Sequence, residues 1–200
     1  MTFPKNSKNI IGGLGITIGI IVGTVIGVEG GFVDHPEDTG GATKYGITQE
    51  VARANGYTGP MELLSKDLAS EIYEKEYVYK PKFHLIVSES SAVGGKVIDA
   101  GVNTGVSRAA TWFQRSLNVL NRDGKDYAPI KEDGLIGPAT LSAFASLQEV
   151  RGQVKACELV LKLLDIQQGS HYMSLTKHRS FMVGWVDNRI QNIPLGDCNE

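Results

Sequence analysis

The longest uninterrupted apolar stretch lies at the front of the chain, where Ile10–Val28 contains no charged residue. As a helix, nineteen residues at ~1.5 Å each span ~28 Å, close to the ~30 Å hydrocarbon thickness of a bilayer. Eleven of them are Ile, Val or Leu, but six are Gly and two are Thr, so the stretch is only weakly apolar. Gly15, Gly19, Gly23 and Gly27 recur every fourth residue and lay a ridge of small residues along one face. Such a ridge suits close helix–helix approach in a membrane, and equally tight packing on a folded domain in water. A turn-rich stretch follows, Gly30–Thr48, read as a loop or small hairpin. From there the pattern is helical. A short helix starts at Thr48 and ends at Asn55-Gly56. Met61–Tyr77 carries Leu64, Leu68, Ile72 and Tyr73 at helical spacing. Ser88–Asn121 reads as two helices interrupted near Asn103-Thr104-Gly105. Pro138 starts a helix through Leu147. Val150–Tyr172 is a long amphipathic helix, and Phe181–Ile193 is the last. The class is mainly α with a small irregular or β element early on.

Two lysines, Lys5 and Lys8, precede the apolar run and no acid does, which orients a membrane helix with its N-terminus in the cytoplasm and the rest exported. The run also admits other readings: a cleaved signal peptide, although no A-x-A-like site is present, a permanent anchor, or a buried core helix. A reversible anchor that later leaves the bilayer fits its weak hydrophobicity best. The remaining ~170 residues suffice for one domain or two small lobes. The net charge of −2 gives no basic footprint for nucleic acid. Cys157 and Cys198 are the only cysteines. Export would permit them to pair, and the alternative is a buried Cys157 with a free Cys198. His35, His84, His171 and His178 lack H-E-x-x-H spacing and no C-x-x-C exists, so no metal or cofactor is expected. No Gly-x-Ser-x-Gly is present for a serine hydrolase.

The candidate chemistry begins where the apolar run ends, at Glu29-Gly30-Gly31. The glycines supply a left-handed cap, so Glu29 is expected at a helix C-terminus, where the dipole is negative. That dipole and apolar neighbours such as Phe32 disfavour ionisation, as a general acid requires. Cleavage of a glycosidic bond needs such a donor and usually a second carboxylate. Asp38, nine residues on, lies in an Asp-Thr-Gly-Gly-Ala-Thr turn whose glycines permit a sharp reversal back towards Glu29. Thr43 adds a hydroxyl able to hold a water. The alternative is that Asp38 only caps a turn.

Glu29-Gly-Gly-Phe32 with Asp38-Thr-Gly-Gly-Ala-Thr43-Lys-Tyr45-Gly-Ile-Thr48 resembles the signature of glycoside hydrolase family 108, phage-type N-acetylmuramidases with a lysozyme-like fold. The resemblance implies that Glu29 is the catalytic acid, that Asp38 and Thr43 complete an acid, base and water-positioning set, and that Tyr45 lines the cleft. Asp99-Ala-Gly-Val-Asn103-Thr-Gly105 resembles the family's helix break at the cleft. Asn103 is then either a sugar contact or a helix cap. Asp133-Gly-Leu-Ile-Gly137-Pro138-Ala-Thr140 resembles the signature of predicted peptidoglycan-binding modules, and its bland alternative is a Gly turn feeding a Pro-started helix. Gly184-Trp185-x-x-Asn188-Arg189 resembles the usual end of that region. Trp112, Trp185, Tyr73, Tyr77 and Tyr79 sit at helical apolar spacings and are expected in the core.

The apolar run departs from the family pattern and resembles the anchor of a signal-arrest-release endolysin. The implied layout is an anchor over residues 1–28, a lysozyme-like catalytic region over 29–108 and a helical, peptidoglycan-binding-like region over 109–200. The implied activity is hydrolysis of the β-1,4 bond between N-acetylmuramic acid and N-acetylglucosamine, causing host lysis. The partners are peptidoglycan glycan strands and the host inner membrane through residues 10–28, with no nucleic acid and a monomer after release. The catalytic part would face the periplasm before release into it. The anchor has no cysteine, so disulfide isomerisation is not expected to be the switch. Rival readings are a lytic transglycosylase on the same bond, and a non-enzymatic, membrane-tethered peptidoglycan-binding protein.

Overall fold

The computed structural model describes residues 7–28, 31–33 and 42–199. The chain divides into two compact units, Met1–Val78 and Tyr79–Glu200.

In the first unit, α1 (Ser7–Val28) realises the apolar run as one helix. Ile18, Val22 and Ile26, four residues apart, are buried, and the helix packs against α3 (Lys66–Tyr73). At Gly15, Gly19 and Gly23 the glycine ridge plays no part in this packing. A Cβ built at Gly15, Gly19 or Gly23 would meet nothing within 4 Å. The expected membrane-length helix is not supported, because among the described residues no helix is long and apolar enough to cross a membrane. The physical reason lies in composition: six glycines interrupt the aliphatic residues, and the aliphatic side chains left on one face suffice for a core stripe.

Three two-residue strands follow: β1 (Phe32–Val33), β2 (Thr43–Lys44) and β3 (Ile47–Thr48), antiparallel in that order. This is the small β element expected from the glycine-rich stretch. Phe32 pairs with Lys44 and Val33 with Thr43, while Thr43 pairs with Thr48 and Lys44 with Ile47. The β2–β3 link is a two-residue turn with both residues at positive φ, Tyr45 at 53° and Gly46 at 73°, as a type I′ hairpin requires. Thr48 then caps α2 (Gln49–Ala54), its hydroxyl accepting from the Val51 N–H at 3.3 Å. The single helix expected over Met61–Tyr77 is divided. A 3₁₀ turn (Met61–Leu63) ends at Leu64, Ser65 caps α3 by accepting from Leu68 N–H at 3.2 Å, and α3 widens into a π-type turn over Glu74–Tyr79.

The second unit is built around α5 (Ser91–Thr104), in which every residue from Ala92 to Gly101 is buried. A helix covered on all sides is a core helix. Its neighbours are α4 (His84–Glu89), α6 (Val106–Leu120) and α8 (Gln153–Ser174). The α4–α5 corner is tight because position 94 has no side chain: a Cβ there would lie 2.6 Å from the Val87 backbone nitrogen. α7 (Pro138–Arg151) joins α6 through an edge-to-face contact of Phe113 and Phe144, 5.3 Å between centroids. A 3₁₀ turn (Thr176–Phe181), α9 (Met182–Arg189) and a last 3₁₀ turn (Leu195–Asn199) follow.

Cys157 and Cys198 form a disulfide, with Cα atoms 5.7 Å apart, which ties the last 3₁₀ turn to α8. This settles the alternative that the sequence left open. Closing a loop of this length is worth about 4 kcal/mol, chiefly through the unfolded chain. Urea unfolding of the Cys157→Ser/Cys198→Ser protein should read a loss of about that size; an unchanged midpoint would show that the turn docks without the bond.

Candidate active site

Two of the five sequence-predicted site residues, Glu29 and Asp38, lie outside the described residues. Their flanking segments are described. Glu29 is the next residue after Val28, where α1 ends, and Asp38 belongs to the connection between the paired strands β1 and β2. The pairing of Val33 with Thr43 brings the two ends of that connection together.

Thr43 and Tyr45 belong to the first unit. Thr43 sits on the middle strand. Tyr45 occupies the left-handed region at φ 53°, an uncommon conformation for an aromatic residue that its surroundings must hold. Three groups do so. The Tyr73 hydroxyl donates to the Tyr45 carbonyl at 2.9 Å, the Lys44 ammonium lies 5.3 Å from the Tyr45 ring centroid, and the same ammonium donates to the Glu62 carbonyl. Tyr73 itself is buried and packs on Tyr77, with centroids 5.2 Å apart. The carbonyl-holding role of Tyr73 was not legible in the sequence, because the two residues lie 28 positions apart.

Asn103 lies in the second unit, in the last turn of α5. It does not cap the helix; Gly105, at φ 98°, does. The Asn103 Oδ1 accepts from the Tyr172 hydroxyl at 2.5 Å, and that hydroxyl accepts from Gln168 Nε2 at 2.8 Å. The carbonyl side of Asn103 is thereby fixed. From Tyr172 a row of rings runs outward, through Trp185 (5.3 Å) to the exposed Phe181, stacked on Trp185 at 5.9 Å. The core expectation holds for Trp112 and Tyr73, which are buried, but Trp185 is half-buried and Tyr79 is exposed.

Two motifs are explained structurally. In Asp133–Thr140 the organiser is Gln114 of α6. Its Nε2 donates to Asp133 Oδ1 (2.9 Å), Leu135 O (2.9 Å) and Thr140 Oγ1 (3.2 Å), and its Oε1 accepts from Gly134 N–H (2.8 Å). Gln114 and the Leu135 N–H together hold the Asp133 carboxyl below the usual carboxylate range. Gln114 was legible as an anomaly, a polar residue four positions from Ala110 on the apolar face of α6. Gly134, at φ 73°, has no room for a side chain, since a Cβ would stand 2.5 Å from Ser107 Oγ and 2.8 Å from Ser107 O. Gly134→Ala should therefore cost about 2 kcal/mol by denaturant unfolding; an unaltered midpoint would mean that the loop is not fixed in this way. The bland reading of the motif, a Gly turn leading to a Pro-started helix, is what the geometry displays.

The second motif closes on Arg189, which forms a buried ion pair with Asp99 of α5. One turn earlier, the buried Lys96 ammonium meets Asp165 (2.6 Å), the Arg189 carbonyl (2.5 Å) and Asn192 Oδ1 (2.9 Å). All three of its protons have acceptors.

Comparison with known proteins decides the chemistry. Residues 22–105 match the family described as Glycosyl hydrolase 108, and residues 108–190 match the Predicted Peptidoglycan domain. The chain is a glycoside hydrolase that acts on peptidoglycan. Its mainly helical architecture with one small sheet fits a lysozyme-like fold. The "Structure of Brucella abortus SagA" is similar to this hydrolase over 92% of this chain and 94% of that one, with a TM-score of 0.68 and 24% sequence identity, a likeness of fold. No curated protein matches it. The hydrolase's peptidoglycan partner rests on the second match, and the stretch carrying Glu29, Asp38, Thr43, Tyr45 and Asn103 falls within the first.

Proposed function

We propose that this hydrolase is an N-acetylmuramidase, a lysozyme cutting the β-1,4 bond from N-acetylmuramic acid to N-acetylglucosamine. The observation that carries the reading is the family match over residues 22–105, which spans the whole proposed catalytic set. Glu29 protonates the leaving O4 of N-acetylglucosamine. Asp38 takes a proton from a water held by Thr43, and that water attacks C1 of N-acetylmuramic acid, leaving a reducing end. Tyr45 and Asn103 contact the sugars. The pinned, left-handed Tyr45 and the fixed Asn103 carbonyl support positioning roles for both. The catalytic part is assigned to residues 29–108 and the peptidoglycan-binding part to 109–200.

The finer biological reading is a phage endolysin of the signal-arrest-release type, monomeric once free. Residues 10–28 would tether it in the host inner membrane with the catalytic part in the periplasm, and release would cause lysis. Three observations support it. The run is uncharged and preceded by two lysines. The ridge glycines Gly15, Gly19 and Gly23 of α1 make no close packing contact, as expected of a helix with a second environment. The Cys157–Cys198 disulfide suits an oxidising compartment.

Mass spectrometry of the products from purified peptidoglycan tests the chemistry. Reducing N-acetylmuramic acid ends are expected. Anhydro ends would make the enzyme a lytic transglycosylase, and no cleavage by the folded protein would leave only wall binding. Membrane fractionation before and after collapse of the membrane potential tests the tether.

A further inference from the structure

At the α5–α6 break the surface opens into a groove of about 680 Å³ lined by Thr104–Arg108, Thr111, Trp112 and Arg115, all from the second unit. Its volume is in the range of ligand sites. Two arginines line it, and their charges differ in fate. Arg115 is neutralised by Glu132, Nε to Oε2 at 3.0 Å. Arg108 has no carboxylate partner among the described residues. Its Nη1 donates to the Thr104 carbonyl at 2.7 Å and lies 3.3 Å from His171 Nε2. The His171 imidazole is itself held below its ordinary pKa, by burial and then by the Arg108 charge, which favours the neutral ring beside the guanidinium. The acids of the adjoining loop are already engaged: Glu132 with Arg115 and Asn118, Asp133 with Gln114 and Leu135 N–H. The groove thus presents one uncompensated guanidinium beside the Ser107 and Thr111 side chains, with Val106 and Trp112 as apolar wall.

An uncompensated guanidinium calls for an anion, and a carboxylate matches its fork. The glycan of peptidoglycan does not supply one. Its sugars are N-acetylated, and the lactyl carboxyl of muramic acid is consumed in the amide bond to the stem peptide. The free carboxylates belong to the stem peptide, which also carries alanine methyls suited to an apolar wall. We propose that the Arg108 groove binds a free carboxylate of the peptidoglycan stem peptide, so that the enzyme reads the peptide as well as the glycan. This rests on the reading of peptidoglycan strands as the substrate, and it adds a peptide subsite to them.

The test is binding, by calorimetry or NMR titration, of three fragments that lack the scissile bond: the disaccharide N-acetylglucosaminyl-N-acetylmuramic acid with its tetrapeptide, the same compound with its peptide carboxylates amidated, and the reduced peptide-free disaccharide with its lactyl carboxyl capped as the methylamide. The wild type should prefer the first by about fivefold, the scale of a solvent-exposed charge pair. Arg108→Gln should remove that preference while leaving the affinity for the peptide-free disaccharide unchanged. The amidated fragment asks the same question of the unaltered protein, should the variant unfold. Equal binding of the three fragments by the wild type, or a preference that survives in folded Arg108→Gln, overturns the proposal. None of the fragments is cleaved, so a failure of the muramidase reading would appear in the product analysis and leave this result legible.

Discussion

Glu29→Gln is expected to reduce peptidoglycan cleavage by roughly a thousandfold while leaving the fold intact, since general acid catalysis is commonly worth 10²–10⁴. The amide keeps the shape of the carboxyl but has no proton of suitable acidity for the leaving oxygen. In the sequence Glu29 directly follows Val28, where α1 ends, and a carboxyl at the negative end of a helix dipole is favoured in its protonated form. Dye release from labelled cell walls, with unfolding curves for both proteins, measures the effect. A variant retaining more than about a tenth of the activity would move the acid to another residue, whereas Asp38→Asn, which removes only the base, should cost less than Glu29→Gln.

Arg189→Ala should destabilise the protein by about 3–5 kcal/mol, the cost of leaving one member of a buried pair without its partner. Asp99 is almost wholly buried, and its Oδ2 already lacks a hydrogen-bond partner among the described residues, so removal of the guanidinium strands a carboxylate beside α5. At this chain length the midpoint of thermal unfolding should fall by roughly 10 °C or more. A double variant, Asp99→Leu/Arg189→Met, should recover much of the loss, because well-packed apolar replacements of buried pairs are often neutral. A single-variant loss below about 1 kcal/mol would mean that water reaches Asp99 and the pair is not truly desolvated.

These two residues illustrate what the sequence made legible. Glu29 could be singled out because its signal is local, a carboxylate between an apolar run and a pair of glycines. Helices were legible for the same reason. The break at Gly105 and the start at Pro138 both stand where the punctuation put them. The long helix expected over residues 61–77 divides because Ser65 offers a cap that competes with helix continuation, a choice that apolar periodicity does not register. The pairing of Cys157 with Cys198 and of Asp99 with Arg189 depends on how α8 and α9 pack, and no spacing encodes that. The glycine ridge suggested a contact face, yet the helix packs through Ile18, Val22 and Ile26, because apolar area removed from water outweighs closeness of approach in an aqueous fold.

The buried charges of α5 also impose a timetable. Lys96 and Asp99 leave the ribosome, or any export channel, some ninety residues before Arg189 and Asn192. Asp165 arrives earlier and neutralises Lys96, but until Arg189 does, closing the second unit around α5 would trap Asp99 without its counter-charge, which postpones collapse of that core. A nascent chain interrupted before Arg189 is correspondingly expected to be protease-sensitive, which limited proteolysis of a chain ending before Arg189 would check. For an enzyme that hydrolyses peptidoglycan, late completion of the core means that activity waits on the finished chain.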